Sequence, residues 1–167
     1  SVECQGKKRV FVSFDDAFED VYTVAMPILM KYNIPFTVFV TIELINQPGY
    51  ISSSMLQELA DCPICTIGAH AISHRMLRWM KGKESRREIV GSGEFLGQLI
   101  GREITLFAYP YGSVFACSRK NIMQVRESGY KMAFSTINSG LSFKTTRNRF
   151  FLPRRNINEH NYLTFLG

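Results

Sequence analysis

Short apolar segments alternate with longer amphipathic segments along this chain, and the alternation decides which class of fold it can adopt. The apolar segments lie at residues 9–14, 35–41, 65–69, 104–109, 131–136 and 150–153. Each is rich in β-branched or aromatic residues and nearly continuous in hydrophobicity, as in strands that are buried on both faces of a parallel sheet. The segments between them, at residues 18–32, 52–61, 84–100 and 118–128, have the length and spacing of amphipathic helices.

Alternating strands and helices with short connections predict an α/β fold with parallel strands, either an open doubly wound sheet or a barrel. In both architectures functional side chains gather at the carboxyl ends of the strands. The chain has 167 residues, 46% of them hydrophobic, so we expect residues 1–167 to form a single domain with its own core. We expect no transmembrane segment, because no apolar run approaches the ~20 residues that span a bilayer.

The formal net charge of +6 would attract an anionic partner, but the Lys and Arg residues are scattered over the whole chain. A nucleic-acid-binding domain more often concentrates its basic residues on one element, with aromatic residues between them. The charge pattern therefore indicates a solvated basic surface and no nucleic-acid partner.

Two of the four cysteines form a Cys-Pro-Ile-Cys motif at Cys62 and Cys65. This spacing occurs in redox pairs, in half of a zinc site, or without either function. A structural zinc would need a second close pair of ligands, whereas Cys4 and Cys117 lie far apart in the sequence. We expect ordinary turn and core cysteines, with a Cys62–Cys65 disulfide as an option if the protein is exported.

Two adjacent carboxylates, Asp15 and Asp16, follow the first apolar segment directly. Two acids at the end of a buried strand repel each other unless a cation or a shared proton relieves the repulsion. The alternative is that one Asp caps the helix that follows, a position that Asp favours. The pair therefore marks either a candidate site or a helix start.

Two of the three histidines, His70 and His74, follow the third apolar segment. Two His four positions apart lie on one face of a helical turn and can bind one metal ion. Because parallel strands bring their carboxyl ends to one rim, Asp16, His70 and His74 could supply one oxygen and two nitrogens to a catalytic metal. Asp15 would then be free to take a proton from the metal-bound water. Each His taken alone could equally be a buried residue with polar partners.

The fourth apolar segment ends in Tyr109-Pro110-Tyr111-Gly112. Pro removes a backbone donor and Gly permits a tight turn, so the loop has a fixed shape that could aim the Tyr111 amide at a developing oxyanion. The same residues could form only a rigid turn. Tyr109, Pro110 and Trp79 are candidate substrate contacts, because aromatic rings can stack on a sugar; Tyr109 and Trp79 could instead belong to the core.

The segments Ser-Phe-Asp-Asp, Gly-Ala-His-Ala-Ile-Ser-His and Ala-Tyr-Pro-Tyr-Gly resemble, in this order, the first three signature motifs of the polysaccharide deacetylases. This family contains chitin, peptidoglycan and poly-N-acetylglucosamine deacetylases. The resemblance covers nearly the whole chain. It implies a distorted (β/α) barrel of six to seven parallel strands, complete or incomplete, and removal of acetyl groups from a glycan, N-acetyl in preference to O-acetyl. It also implies action outside the cytoplasm, by family habit.

The resemblance assigns roles to single residues. Asp15 matches the catalytic base of the family, and Tyr111 matches the residue whose backbone amide stabilises the oxyanion. The residues that match the metal ligands are Asp16, His70 and His74. The metal is usually Zn²⁺, with Co²⁺ or Ni²⁺ accepted by related enzymes. Arg154 resembles an Arg that other short members carry at the end of the last strand, where it could pair with Asp15 and hold it ionised, or it is simply an exposed charge.

The chain departs from the family pattern at three places. Ala108 replaces the Arg that opens the third motif in many members, residues 133–138 lack the expected Asp-and-Trp motif, and the Leu-x-His motif that supplies the general acid is missing. His160, the remaining His, is expected to be exposed and without a catalytic role, with the general acid as the alternative. The departures leave two alternatives open: a glycan-binding member without activity, and a hydrolase of small amides on the same fold.

Overall fold

The computed structural model describes residues 10–142, 145–158 and 161, and five parallel strands within these ranges form one sheet. The strands are β1 (Val12–Phe14), β2 (Phe36–Val40), β3 (Cys65–Ala69), β4 (Leu106–Ala108) and β5 (Met132–Phe134). Their order in the sheet is their order in the sequence, and every neighbouring pair is parallel. A doubly wound sheet reverses its strand order at a switch point. The sheet winds in one direction, so the predicted incomplete (β/α) barrel is confirmed.

Helices connect the strands as the spacing of apolar residues predicts. They are α1 (Met26–Lys31), preceded by a π-helical turn (Val21–Ala25), α2 (Ser53–Asp61), α3 (Gly82–Ile100) and α4 (Arg119–Glu127). Short 3₁₀ turns occur at Ile42–Leu44, Leu77–Trp79 and Thr145–Arg147. Ser52 caps α2 by accepting a hydrogen bond from the Met55 amide. Because Ser52 lies outside the helix and satisfies a free amide of its first turn, the start of α2 is fixed by the sequence.

The sixth predicted strand, at residues 150–153, is reduced to one parallel bridge between Leu152 and Phe134. The Leu152 amide donates to the Ala133 carbonyl, and the Leu152 carbonyl accepts from the Ser135 amide. Pro153 follows and has no amide hydrogen, so the ladder cannot continue. The next residue, Arg154, reaches across to Ser13 on β1, with its Nη1 3.1 Å from the hydroxyl oxygen. A side chain rather than a strand therefore spans the gap between the two edges of the sheet.

The core lies between the sheet and the helices and is built from apolar residues of both. Phe107 at the centre of β4 is fully buried and packs its ring against those of Tyr109 and Tyr130. Leu56 of α2 and Leu96 of α3 are also fully buried and belong to the same cluster. No helix in the described part of the chain combines the length and apolarity needed to cross a bilayer.

Cys62 and Cys65 form a tight turn between α2 and β3, in which the Cys65 amide donates to the Cys62 carbonyl over 3.0 Å. Both thiols are free, as is that of Cys117, and Cys4 lies outside the described residues. Burial, with a smaller contribution from Cys62, raises the pKa of Cys65 to about 12. A thiol with so high a pKa carries almost no thiolate at neutral pH, so Cys65 is a weak nucleophile.

Candidate functional site

Three side chains from the carboxyl ends of β1 and β3 meet at one point of the rim: Asp16, His70 and His74. Asp16 Oδ1 lies 3.6 Å from His70 Nε2 and 3.1 Å from His74 Nε2. The three potential ligand atoms all lie within 4.8 Å of one another. The predicted convergence is therefore present, while the ligation itself stays a prediction.

The hydrogen bond of His70 fixes which of its ring nitrogens faces this point. Nδ1 lies 2.8 Å from the Ala108 carbonyl oxygen, which can only accept. Nδ1 therefore carries the proton, and the Nε2 lone pair points towards Asp16. Burial lowers the pKa of His70, although the carboxylate of Asp15 opposes this effect. The neutral form that results is the form in which imidazole binds metals.

Asp16 Oδ1 is buried and has no hydrogen-bond partner among the described residues. Its contact with His74 Nε2 is short but lacks the alignment of a hydrogen bond. A buried acceptor left in this way costs about 1–3 kcal/mol. A cation between the carboxylate and the two imidazoles would remove that cost, and one oxygen with two nitrogens is a donor set that suits zinc. The residues present fit a divalent metal.

The segment that carries His74 is not the helical turn that the spacing of the two His predicts. Residues 70–76 are irregular, and Ala71 and His74 have positive φ angles of 64° and 55°. The loop instead packs on α3, where the carboxylate of Glu88 accepts hydrogen bonds from the Ile72 and Ser73 amides. Tertiary contacts with α3 thus replace the expected helical geometry. Sequence analysis did not single out Glu88; its only signal is a carboxylate on the buried face of an amphipathic helix.

Asp15 lies beside the three converging residues and pairs with Arg154. The two guanidinium nitrogens Nη1 and Nη2 donate to Oδ1 and Oδ2 over 2.6 and 2.7 Å. Arg154 is in turn held by the Ser135 carbonyl and lies over the ring of Phe39. The predicted Asp15–Arg154 pair is present, and the alternative of an exposed Arg154 is wrong. The alternative of a helix cap is also wrong, because helical structure begins only at Glu19, three residues beyond Asp16.

The environment of Asp15 favours its ionised form. Burial alone would raise the pKa of this carboxyl group, but the hydrogen bonds from Arg154 and the neighbouring basic side chains outweigh it, so the pKa lies below its usual range. An opposite charge within hydrogen-bonding distance has this effect in general. Asp15 is thus an ionised acceptor beside a potential metal centre.

Tyr111 follows the carboxyl end of β4, and its ring centroid lies 4.8 Å from that of His74. Its carbonyl accepts a hydrogen bond from the Thr136 hydroxyl over 2.7 Å. Its amide donates no hydrogen bond to any described residue, which leaves this donor open to a ligand. Tyr111 has a φ angle of 60°, followed by 53° at Gly112. The turn expected from the sequence is therefore formed in a left-handed conformation.

Gly112→Ala is expected to reduce both stability and any activity of this site. A Cβ at residue 112 would lie 2.5 Å from the Thr136 amide nitrogen, and the positive φ adds strain. We expect a loss of about 1–3 kcal/mol in unfolding free energy and a fall on the order of 100-fold in kcat/KM, since Tyr111 would shift. Thermal unfolding and a rate assay measure the two effects.

Gly101→Ala is the matched control for this variant. Gly101 has a similar φ of 68°, but nothing lies within 4 Å of its virtual Cβ. It should lose stability through backbone strain alone and keep its rate. Equal rates for the two variants would contradict a role of the Tyr111 loop in the reaction.

The three candidate substrate contacts differ in accessibility. Tyr109 is fully buried and its hydroxyl donates to the Phe150 carbonyl, so the expectation that its ring meets a sugar is wrong: the ring belongs to the core. Pro110 is also buried and can only shape the turn. Trp79 is 77% exposed, so a core position for this ring is wrong. It lines an open cleft of about 530 Å³ together with His74 and Tyr111.

Strained backbone is concentrated at this site. Seven described residues other than Gly have a positive φ. Five of them lie at the site or next to it: Asp16, Ala17, Ala71, His74 and Tyr111. Such conformations cost of order 1–3 kcal/mol each and persist where the surroundings enforce them, often at functional sites. The placement agrees with a functional role of this part of the rim.

Comparisons with known proteins agree with this geometry. The sequence profile described as polysaccharide deacetylase matches residues 2–133. A poly-beta-1,6-N-acetyl-D-glucosamine N-deacetylase of Staphylococcus aureus (strain MRSA252) is 24% identical in an alignment of length 163, and the match covers 89% of this chain and 54% of that protein. The chain spans about half the length of the curated relatives it matches.

Solved structures show the same fold. The Streptococcus pyogenes deacetylase PplD in complex with acetate superposes with a TM-score of 0.82 and 23% identity, covering 92% of this chain and 66% of that one. IcaB from Ammonifex degensii gives a TM-score of 0.78 at 22% identity, and the match covers 93% of this chain and 70% of that one.

Proposed function

This chain belongs to the polysaccharide deacetylase family, and from this premise we propose that it is a metal-dependent hydrolase that removes acetyl groups from a polysaccharide or amino-sugar glycan. N-acetyl groups are the first candidates and O-acetyl groups the second. The observation that carries the proposal is the buried, unpartnered Asp16 Oδ1 facing the Nε2 atoms of His70 and His74. The relation to a poly-N-acetylglucosamine deacetylase also favours action outside the cytoplasm.

Asp16, His70 and His74 would hold the metal. A divalent cation at such a site lowers the pKa of a bound water and polarises the acetyl carbonyl. Two imidazoles and a carboxylate suit Zn²⁺, and Co²⁺ or Ni²⁺ could replace it, because these ions accept the same ligand types.

Asp15 is proposed to act as the general base that takes the proton of the attacking water. Its ionised state suits this role, and Arg154 holds both carboxylate oxygens in a fixed plane. Arg154 is therefore a positioning residue. It cannot protonate the leaving group, since a guanidinium does not give up its proton in proteins. The Tyr111 amide is proposed to donate to the oxyanion, a contribution of about 3 kcal/mol in comparable sites.

Hydrolysis breaks the bond between the acetyl carbon and the sugar nitrogen, forms acetate and leaves a free amine. The amine needs a proton as it departs. His160, the only His that the proposed metal centre does not use, lies outside the described residues.

Trp79 is proposed to stack on a sugar next to the one that is deacetylated. Trp79→Ala should raise KM by roughly tenfold, ~1.4 kcal/mol, with kcat nearly unchanged, since it removes binding remote from the reacting atoms. Phe115→Ala is the matched control, because Phe115 is also 77% exposed but does not line the cleft. Trp79 is the only Trp in the sequence, so a change in its fluorescence on adding an oligosaccharide reports the contact directly. No fluorescence change and an unaltered KM would refute the stacking role.

Acetate release decides between this function and its alternatives. The metal-loaded protein would be incubated with N-acetylated amino-sugar oligomers, O-acetylated oligomers and a panel of small amides. The proposal expects release from the N-acetylated oligomers at the highest rate. If the Trp79 fluorescence shows that an oligosaccharide binds but no acetate is released, a glycan-binding member without activity is favoured. Faster hydrolysis of the small amides would favour an amide hydrolase.

A further inference from the structure

The loop between the two candidate imidazole ligands has no regular structure of its own, so something else must fix the position of His74. We propose that Glu88 on α3 is a positioning residue, which holds this loop so that His74 lies next to Asp16. This inference rests on the metal centre of the proposed function. Glu88 lies outside the family-like motifs identified in the sequence. It contacts neither the candidate metal point nor the cleft.

Glu88 binds the loop through three hydrogen bonds. Its Oε2 accepts from the Ile72 amide over 2.8 Å and from the Ser73 amide over 2.9 Å, and its Oε1 accepts from the Ser73 hydroxyl over 2.8 Å. The residue is only 8% exposed, and no Lys or Arg lies within ion-pair distance of it in the described ranges. The loop donors are therefore what stabilises this buried carboxylate. The carboxylate in turn fixes the residue directly before His74.

Two further contacts dock the same loop on the same helix. The Ile72 side chain fits against Gly91, where an added Cβ would lie 3.0 Å from its Cδ1 atom. On the other side of His74, Arg75 pairs with Glu84 over 2.8 Å. Residues on both sides of His74 are thus attached to α3. The pair with Glu84 is exposed, whereas Glu88 is buried and its contacts are partly buried, so Glu88 carries most of the constraint.

The backbone of His74 shows why a constraint is needed. Its φ of 55° is unfavourable for a residue with a Cβ, and the strain persists only when the surroundings enforce it. If the Glu88 hydrogen bonds were lost, the loop could relax to an unstrained conformation. The His74 Nε2 atom would then move away from Asp16.

Binding of Co²⁺ alone tests the proposal without any substrate. Glu88→Gln keeps the size of the side chain but places an NH₂ group where the loop presents donors. We expect a Co²⁺ affinity 10- to 100-fold weaker than wild type, the usual effect of losing an outer-shell partner, and an altered Co²⁺ absorption spectrum. Glu94→Gln is the matched control on the same helix: Glu94 is exposed, and among the described residues no hydrogen bond or ion pair joins it to the loop, so its Co²⁺ affinity should stay within about threefold of wild type.

The spectrum separates positioning from a general loss of stability, because a merely destabilised variant would keep the wild-type Co²⁺ spectrum when loaded. A wild-type affinity and spectrum in Glu88→Gln would overturn the proposal. If circular dichroism shows that this variant does not fold, Ser73→Ala takes its place, because it removes one hydrogen-bond donor from the loop. We expect Ser73→Ala to bind Co²⁺ about tenfold more weakly than wild type. Unchanged binding in this variant overturns the proposal. His70→Ala is measured in parallel, because Co²⁺ binding that survives this substitution would refute the metal centre itself rather than the role of Glu88.

Discussion

Asp15→Asn should lower kcat/KM for acetate release by roughly 10²- to 10⁴-fold, the range that a general base contributes. Asn can still accept a hydrogen bond from Arg154, so the pair of side chains is largely kept, but it cannot take a proton from water. Asp15 is not one of the three converging ligands, so metal content should stay at the wild-type level. Acetate release and elemental analysis of the same sample measure both quantities.

Asp20→Asn is the matched control, with the same chemical change a few residues further along the chain. Asp20 is exposed, and its side chain makes no capping hydrogen bond. It should keep the wild-type rate. If Asp15→Asn retained more than about a tenth of the wild-type rate, Asp15 would not be the base.

His70→Ala should remove the bound metal and with it most of the activity. The imidazole is fully buried with its Nε2 directed at Asp16, so no solvent-exposed group can replace it. The loss of metal affinity should exceed the 10- to 100-fold typical of outer-shell partners. Because a metal supplies several kcal/mol of transition-state stabilisation, the rate should fall by at least about 10³-fold.

A thermal shift separates metal loss from unfolding in this variant. Zn²⁺ should raise the melting temperature of the wild type, since a ligand that binds only the native state stabilises it. Zn²⁺ should not raise the melting temperature of His70→Ala or of His74→Ala. Without metal, His74→Ala should lose less stability than His70→Ala, because His74 is less buried and its removal leaves a smaller cavity. A normal metal content in both variants would exclude the proposed ligands.

Much of the fold could be predicted from the sequence, because buried parallel strands leave a clear local pattern. The third strand, Cys65–Ala69, has the predicted bounds. The choice between a barrel and an open sheet could not be made from local pattern, since it depends on the winding order of distant strands. The sixth strand was overestimated because Pro153 stops the ladder after a single bridge at Leu152.

The part of the candidate site that could be predicted is the part that residue type and position relative to the strands determine. Asp16 and His70 lie within two residues of the carboxyl ends of β1 and β3, so the topology alone brings them together. Contacts that depend on tertiary structure were harder to predict. The conformation at His74 is set by Glu88 on another element, and Arg154 reaches Asp15 across 139 residues of sequence. Tyr109 was left open between a substrate contact and the core, because an aromatic residue next to a motif looks the same in the sequence whether it faces the core or a ligand.

The proposed metal centre is tested most directly by X-ray diffraction from crystals grown with Zn²⁺, with data recorded on both sides of the zinc absorption edge. We expect one anomalous peak per chain, about 2.0–2.2 Å from Asp16 Oδ1, His70 Nε2 and His74 Nε2. An anomalous map without a peak at this point, or with zinc bound only elsewhere on the chain, would contradict the account.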